Sequence, residues 1–198
     1  MTSVPPEPLE FVTYAEFGEQ FFRHAVSEKR LLQAVELLSG QPIELGPTGV
    51  GPGRLVRLSA RGGIGEASTE PVVGDEVGHV VQLPVDLGLQ IDLGLEVHRF
   101  DARLDVPLVI TVRAVSRLRV YLDVTPPAAD DIRIDLQAQG LRASVVQRVA
   151  GFEGEVRRFV ASYIARELEK PHVRSARLFD VGEAIDAAWD RLVDTDPE

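Results

Sequence analysis

From Val81 to Val97 every odd position is apolar: Val81, Leu83, Val85, Leu87, Leu89, Ile91, Leu93, Leu95 and Val97. Every even position from Gln82 to His98 is polar, glycine or proline. A β-strand turns successive side chains to opposite faces, so a period of two held this long means one dry face and one wet face. No helix satisfies that pattern. At about 3.3 Å per residue the segment reaches roughly 55 Å, against about 17–20 Å for a usual strand. It reads as one long strand, bent where Gly88 and Gly94 permit a bulge.

Near Arg99 the phase changes, and the apolar set becomes Phe100, Ala102, Leu104, Val106, Leu108, Ile110, Val112 and Ala114. A one-residue slip exchanges the two faces, so a turn must lie at the slip, and Val97–Asp101 is the expected corner. Pro84 and Pro107 cannot donate to a ladder, which predicts edges, bulges or strand starts for them. Leu118 to Val124 forms a third strand ending at Pro126-Pro127, and Ile132 to Ala138 a fourth after Asp130-Asp131. Together they predict an antiparallel meander with one apolar face.

The ends of the chain have helical patterning. Thr13 and Glu16 fit a capping box opening a helix with Phe17, Phe21 and Ala25 on one stripe. Ser27 caps a second helix carrying Leu31, Leu32, Val35 and Leu38, with Gly40 as its stop. Later, 141–150 and 152–169 are helical, the second with Phe152, Val156, Phe159, Val160, Tyr163, Ile164 and Leu168 on one stripe. A last strand is expected within 173–181. Asp180 and Glu183 cap a closing helix with Ile185, Ala188, Trp189 and Leu192. The expected fold class is α+β: N-terminal helices, then a long curved antiparallel meander sheet wrapped around a long C-terminal amphipathic helix. Residues 1–10 read as a disordered tail, 11–193 as one domain and 194–198 as a frayed end.

Composition limits the chemistry. A net charge of −10 argues against nucleic acid as a partner, since phosphate contacts need clustered Lys and Arg. Zero cysteines exclude disulfides, thiolate metal sites and thiol nucleophiles together. The start lacks a basic and apolar leader pattern, and no stretch reaches the ~18 apolar residues of a membrane span, so a cytoplasmic protein is expected. His24, His79, His98 and His172 have no metal-ligand spacing, and no metal or cofactor is expected. The Gly46–Gly53 segment resembles a phosphate loop only superficially. Two prolines interrupt it, no Lys follows, and a strand (Val56, Leu58, Ala60) comes next, so it reads as a turn. Asp86 and Asp92 share the wet face about 20 Å apart, too far to act on one bond, and read as solubilising charges. Arg99, Arg103, Arg113, Arg117 and Arg119 make a modestly basic stretch, opposed locally only by Asp101 and Asp105. It reads as edge protection or as a contact for an anionic headgroup.

An N-terminal helix, long antiparallel strands with one apolar face and a long amphipathic helix resemble the tubular lipid-binding (TULIP) superfamily, which includes the BPI-like and SMP domains. The likeness rests on the odd positions of 81–97, the even positions of 100–114 and the stripe from Phe152 to Leu168. It implies a non-enzymatic protein holding a lipid or other hydrophobic ligand between sheet and helix. The implied groove is lined by Leu87, Leu89, Ile91, Leu93, Leu104, Leu108, Ile110, Phe152, Val156, Phe159 and Tyr163. Arg99 and Arg103 are the headgroup candidates, peripheral membrane contact is admitted, and the oligomeric state is left open, a homodimer included. Two other readings stand beside it: an interaction module whose apolar face is a packed core, and an enzyme acting on a hydrophobic substrate.

Overall fold

Two long antiparallel strands, β4 (Gly78–Asp92) and β5 (Val97–Val115), pair along the whole of β4, from Gly78 opposite Thr111 to Asp92 opposite Val97. The computed structural model describes residues 9–36, 42–50, 53, 56–74, 76–92, 94, 97–138 and 143–193. On β4 the odd residues 81–91 are buried, while Gln82, Asp86, Gly88 and Gln90 are exposed. On β5 the buried set is even, with Phe100, Ala102, Leu104, Val106 and Ile110 enclosed. The two phases therefore meet on one face, as the patterning predicts.

The corner differs from expectation. The long strand ends at Asp92, which pairs with Val97, and Leu93 and Leu95 lie outside the described residues. Gly94 takes a left-handed backbone (φ 89°), and its N–H donates to Asp92 Oδ1 at 2.7 Å. Val97 belongs to β5 and is half exposed, so the odd-phase dry face stops short of it.

The described strands form an eight-stranded antiparallel sheet. Its strongly curled form and flanking helices make the molecule α+β. β1 (Ile43–Val50) pairs with β2 (Val56–Ile64), which pairs with the Val85–Asp92 half of β4. β1 thus runs through part of the glycine-rich stretch expected to be a turn, with an irregularity between Leu45 and Thr48. β3 (Ser68–Pro71) pairs with the remaining part of β4.

β5 is flanked in the same divided way. β6 (Arg119–Thr125) pairs with its Val109–Val115 end, and β7 (Arg133–Ala138) with Phe100–Asp105. The sheet is therefore not a simple meander, because β7 returns to β5 instead of pairing with β6.

The two prolines account for the divisions. Gly65 N–H donates to Pro84 O at 2.8 Å, so Pro84 turns its backbone toward the β2–β3 side. In an extended strand N–H and C=O share a side, and the N–H missing from proline falls there. Pro84 faces Asp105, and Pro107, two residues on, repeats that orientation toward the β6–β7 side. Each outer strand breaks opposite a proline: β2 gives way to β3, and β6 to β7 through Pro126-Pro127 and a 3₁₀ turn at Ala129–Asp131.

Helices cover parts of this sheet. α1 (Tyr14–Ala25) starts with the expected capping box: Glu16 N–H donates to Thr13 Oγ1 (3.2 Å), and Thr13 N–H to Glu16 Oε2 (2.8 Å). The Thr13 N–H and then the Thr13 hydroxyl, both donating to Glu16 Oε2, lower the pKa of that carboxyl from its ordinary value. Phe21 and Ala25 pack on the core, whereas Phe17 is exposed. α2 (Glu28–Glu36) buries Leu31, and its expected stop at Gly40 lies outside the described residues.

One continuous α3 (Ala143–Leu168) replaces the two helices expected over 141–169, and its backbone runs closest to β7 and the 3₁₀ turn. Val156 and Val160 are its buried anchors. The last strand expected within 173–181 is the short β8 (Leu178–Asp180) on β6, and the residues before it form α4 (Pro171–Ala176). α5 (Val181–Val193) closes the fold, with Glu183 N–H donating to Asp180 Oδ1 at 3.0 Å as the capping pattern predicts.

A buried arginine ties the last elements together. Arg177 donates to the Leu168 carbonyl at 2.9 Å, where α3 leaves acceptors unmatched, and its guanidinium lies 5.5 Å from the Tyr121 ring centre. Arg177→Met should lower stability by about 1.5–3 kcal/mol, read from chemical denaturation, because a charged hydrogen bond is lost at a buried carbonyl. Glycine substitutions give a sharper contrast. A Cβ on Gly62 would enter the backbone carbonyl of Asp86, whereas one on Gly88 meets nothing nearer than 3.6 Å. Gly62→Ala should therefore disrupt the β2–β4 ladder, while Gly88→Ala should leave the denaturation midpoint level or raise it by about 0.5–1 kcal/mol.

Candidate functional site

The residues expected to line a groove sit on the inner, apolar face. Leu87, Leu89, Ile91, Leu104, Ile110 and Val156 are buried within one hydrophobic cluster, and Leu108, Phe159 and Tyr163 pack half-buried against it. Leu93 lies outside the described residues, as does the side chain of Phe152. The register brings the strand residues together directly: Leu87 faces Ala102, Leu89 faces Phe100, and Val85 faces Leu104. Val81 on β4 and Leu104 and Val106 on β5 are 0% exposed. No water-sized space borders those three side chains.

The headgroup candidates stand elsewhere. Arg99 and Arg103 are odd residues of β5, so they project from the outer face, away from the apolar cluster. Arg103 Nε donates to Asp86 Oδ1 at 3.1 Å, its direct cross-strand neighbour. Arg113 is similarly engaged, by Asp123 at 3.2 Å and Glu76 at 2.8 Å. The basic stretch is thus opposed by acids from β4, β6 and the segment before β4, which sequence proximity did not reveal. Exposed pairs of this kind contribute little stability, with a median of about 0–1 kcal/mol, but they do neutralise the face locally.

Outer-face side chains also line shallow clefts. One of about 350 Å³ lies among Arg61, Asp86, Asp101, Arg103, Asp135 and Gln137, over Gly62 and Gly88. Another of about 640 Å³ occupies the break between β6 and β7, beside Pro107, Pro126, Pro127, Asp131 and Arg133. Both are salt-bridged or proline-walled surfaces. Among the described residues, no group of three or more His, Asp or Glu side chains is placed to hold a metal ion. Nor is any helix there long and apolar enough to cross a membrane. Asp86 is taken by Arg103, and Asp92 by the turn at Gly94. His79 lies buried on β4, its Nδ1 3.4 Å from Thr69 Oγ1.

Sequence patterning missed a different feature. The stripe of α5, expected to be buried, is open: Ile185 is 51% and Trp189 67% exposed. Leu118, expected in a strand, sits with Arg117 in a left-handed turn and is 66% exposed; Phe179 on β8 is 49% exposed. Helical periodicity shows that a stripe exists but carries no information about its cover. The acids interleaved with it, Glu183, Asp186 and Asp190, are the signal that points to a wet surface.

Tyr163 offers a titration handle on the α3 packing. Burial, reinforced by the Glu167 carboxylate, pushes its phenol above the ordinary value. The folded state then holds the phenolic proton more tightly than the unfolded chain does. That contribution is complete below about pH 10 and is lost as pH rises through the folded pKa. Tyr163→Phe should flatten the alkaline fall in melting temperature that begins near there. Phe159→Ala should cost less than the about 3–5 kcal/mol of a fully enclosed ring, measured by denaturation. In comparisons with known proteins, the chain matches no family model, no curated protein and no solved structure.

Proposed function

We propose that the protein is a non-enzymatic interaction module whose apolar sheet face is a packed core and whose exposed apolar end is the contact surface. The observation that carries this reading is the complete enclosure of Val81, Leu104 and Val106 on the two longest strands. A methylene chain is wider than a water molecule, so an empty channel able to hold one leaves its lining side chains accessible to water. Here these lining positions touch only protein. No cofactor, metal or nucleic acid enters the proposal.

The lipid-binding reading implied by the tubular-lipid resemblance is the second one. It draws on Leu108, Phe159 and Tyr163, which are only half-buried, and it would place a short apolar ligand beside α3. The two readings diverge in a direct assay. Purified protein incubated with a fluorescent fatty acid or phospholipid should give no saturable, competable signal. Organic extracts of the same protein should yield no stoichiometric lipid by mass spectrometry. Saturable binding that Phe159→Trp weakens without unfolding the protein would replace the first reading with the second.

A further inference from the structure

We infer that α5 docks through its Ile185–Trp189 face into an apolar groove of cationic rim on a partner protein. This rests on the interaction-module reading and names the partner's chemistry. The first turn of the helix is anchored on the sheet. Val181 N–H donates to Leu118 O at 2.9 Å, and Asp180 caps the first turn, so α5 starts on the turn at Ser116–Leu118. A Cβ at Gly182 would lie 4.0 Å from that of Leu118, which sets the first turn of the helix against this side chain. From Glu183 to Arg191 every residue is exposed. Ile185 and Trp189, four residues apart, share one side of the helix and continue the apolar surface begun by Leu118. A helix of thirteen residues is marginal on its own and gains most of its stability by covering such a stripe.

Charge selects the occupant. Glu183, Asp186 and Asp190 flank the stripe against Arg191 alone, and the chain adds Asp194, Asp196 and Glu198 immediately after. Arg117 and Arg119, at the Leu118 end, are the basic residues beside this acidic helix, Arg119 standing opposite Asp180. A second copy joined face to face would set these acids against one another, and an anionic bilayer or nucleic acid would be repelled in the same way. The exposed N-terminal segment from Leu9 to Tyr14 is apolar enough to cover the stripe, yet Glu10 and Glu16 give it the wrong sign. A helix-receiving groove edged with Lys and Arg satisfies both the apolar face and the acids.

Trp189 is the single tryptophan of the chain, so its emission reports on this face directly. The probe is a synthetic amphipathic Leu/Lys helix, compared with a Leu/Glu helix of identical pattern and a Lys/Ser peptide of identical charge. Only the Leu/Lys peptide should shift Trp189 emission to the blue with a saturable, salt-weakened curve. Ile185→Ser should weaken it roughly tenfold, as should the pair Asp186→Lys and Asp190→Lys, with melting curves unchanged because these side chains are exposed. No shift, equal response to the Leu/Glu helix, or undiminished binding by Ile185→Ser would overturn the inference. So would a blue shift produced by protein concentration alone or by phosphatidylglycerol vesicles. If this test fails while lipid binding is also absent, the packed-core reading stands and only the cationic-groove partner is lost.

Discussion

The β4–β5 ladder is the constraint on which the other elements depend. It fixes, in one continuous pairing, which side chains are dry, because a slip of one residue would move the whole apolar set to the outer face. A buried carboxylate in that set is correspondingly costly, and the exposed row of Gln82, Asp86 and Gln90 tolerates charge freely. The outer strands take their places from this hairpin. Pro84 and Pro107 remove one donor each from its two edges, and at those points the flanking strands leave the ladder. The result is a curled sheet whose middle is continuous and whose sides are each built in two pieces.

The same hairpin explains how an apolar face of this length is covered along its centre. Sheet curling brings residues of distant strands, such as Leu58 on β2 and Val120 on β6, into one cluster with the central pair. α3 contributes Val156 and Val160 to that cluster while its backbone follows β7 and the 3₁₀ turn. Each fully enclosed side chain of this kind stabilises the fold by about 1.5–3 kcal/mol relative to exposure. That gain is available only where the space is filled, and strand length alone does not imply an empty tube.

Much of this was legible in the chain, for a simple reason: alternation is a local signal, and burial obeyed it on both long strands. Pairing order was less legible. Residues 132–138 have the same pattern whether they pair with β6 or β5, and the choice is made by the interruption at Pro107, on a strand far back in sequence. The repeated Asp-Leu-Gly-Leu shows the limit clearly. At 86–89 it lies in β4, with Asp86 held by Arg103; the second copy starts on the last residue of β4, with Asp92 holding the Gly94 N–H. The same aspartate thus pairs with a cross-strand arginine in one copy and ends the strand in the other. Groove candidates such as Leu87 and Leu104 were correctly placed on the dry face by phase, but whether that face borders a cavity is a property of packing. The open stripe on α5 escaped notice for the same reason.

The shortness of the link from Asp92 to its partner Val97 carries a kinetic consequence. It makes the longest pairing in the sheet also one of the most local at its closed end, so the loop-closure entropy of starting the hairpin is small. β6 follows β5 through a turn of comparable brevity, and zipping outward from these two corners assembles three strands before any distant segment is needed. β7, α3 and β8 come later, because their contacts wait on a surface that the hairpins must first create. Low contact order is thus concentrated in the middle of the chain, with the slow, long-range steps at its ends. Core changes in β4 and β5 should act mainly on the folding rate, and those at Val156 and Val160 of α3 mainly on unfolding.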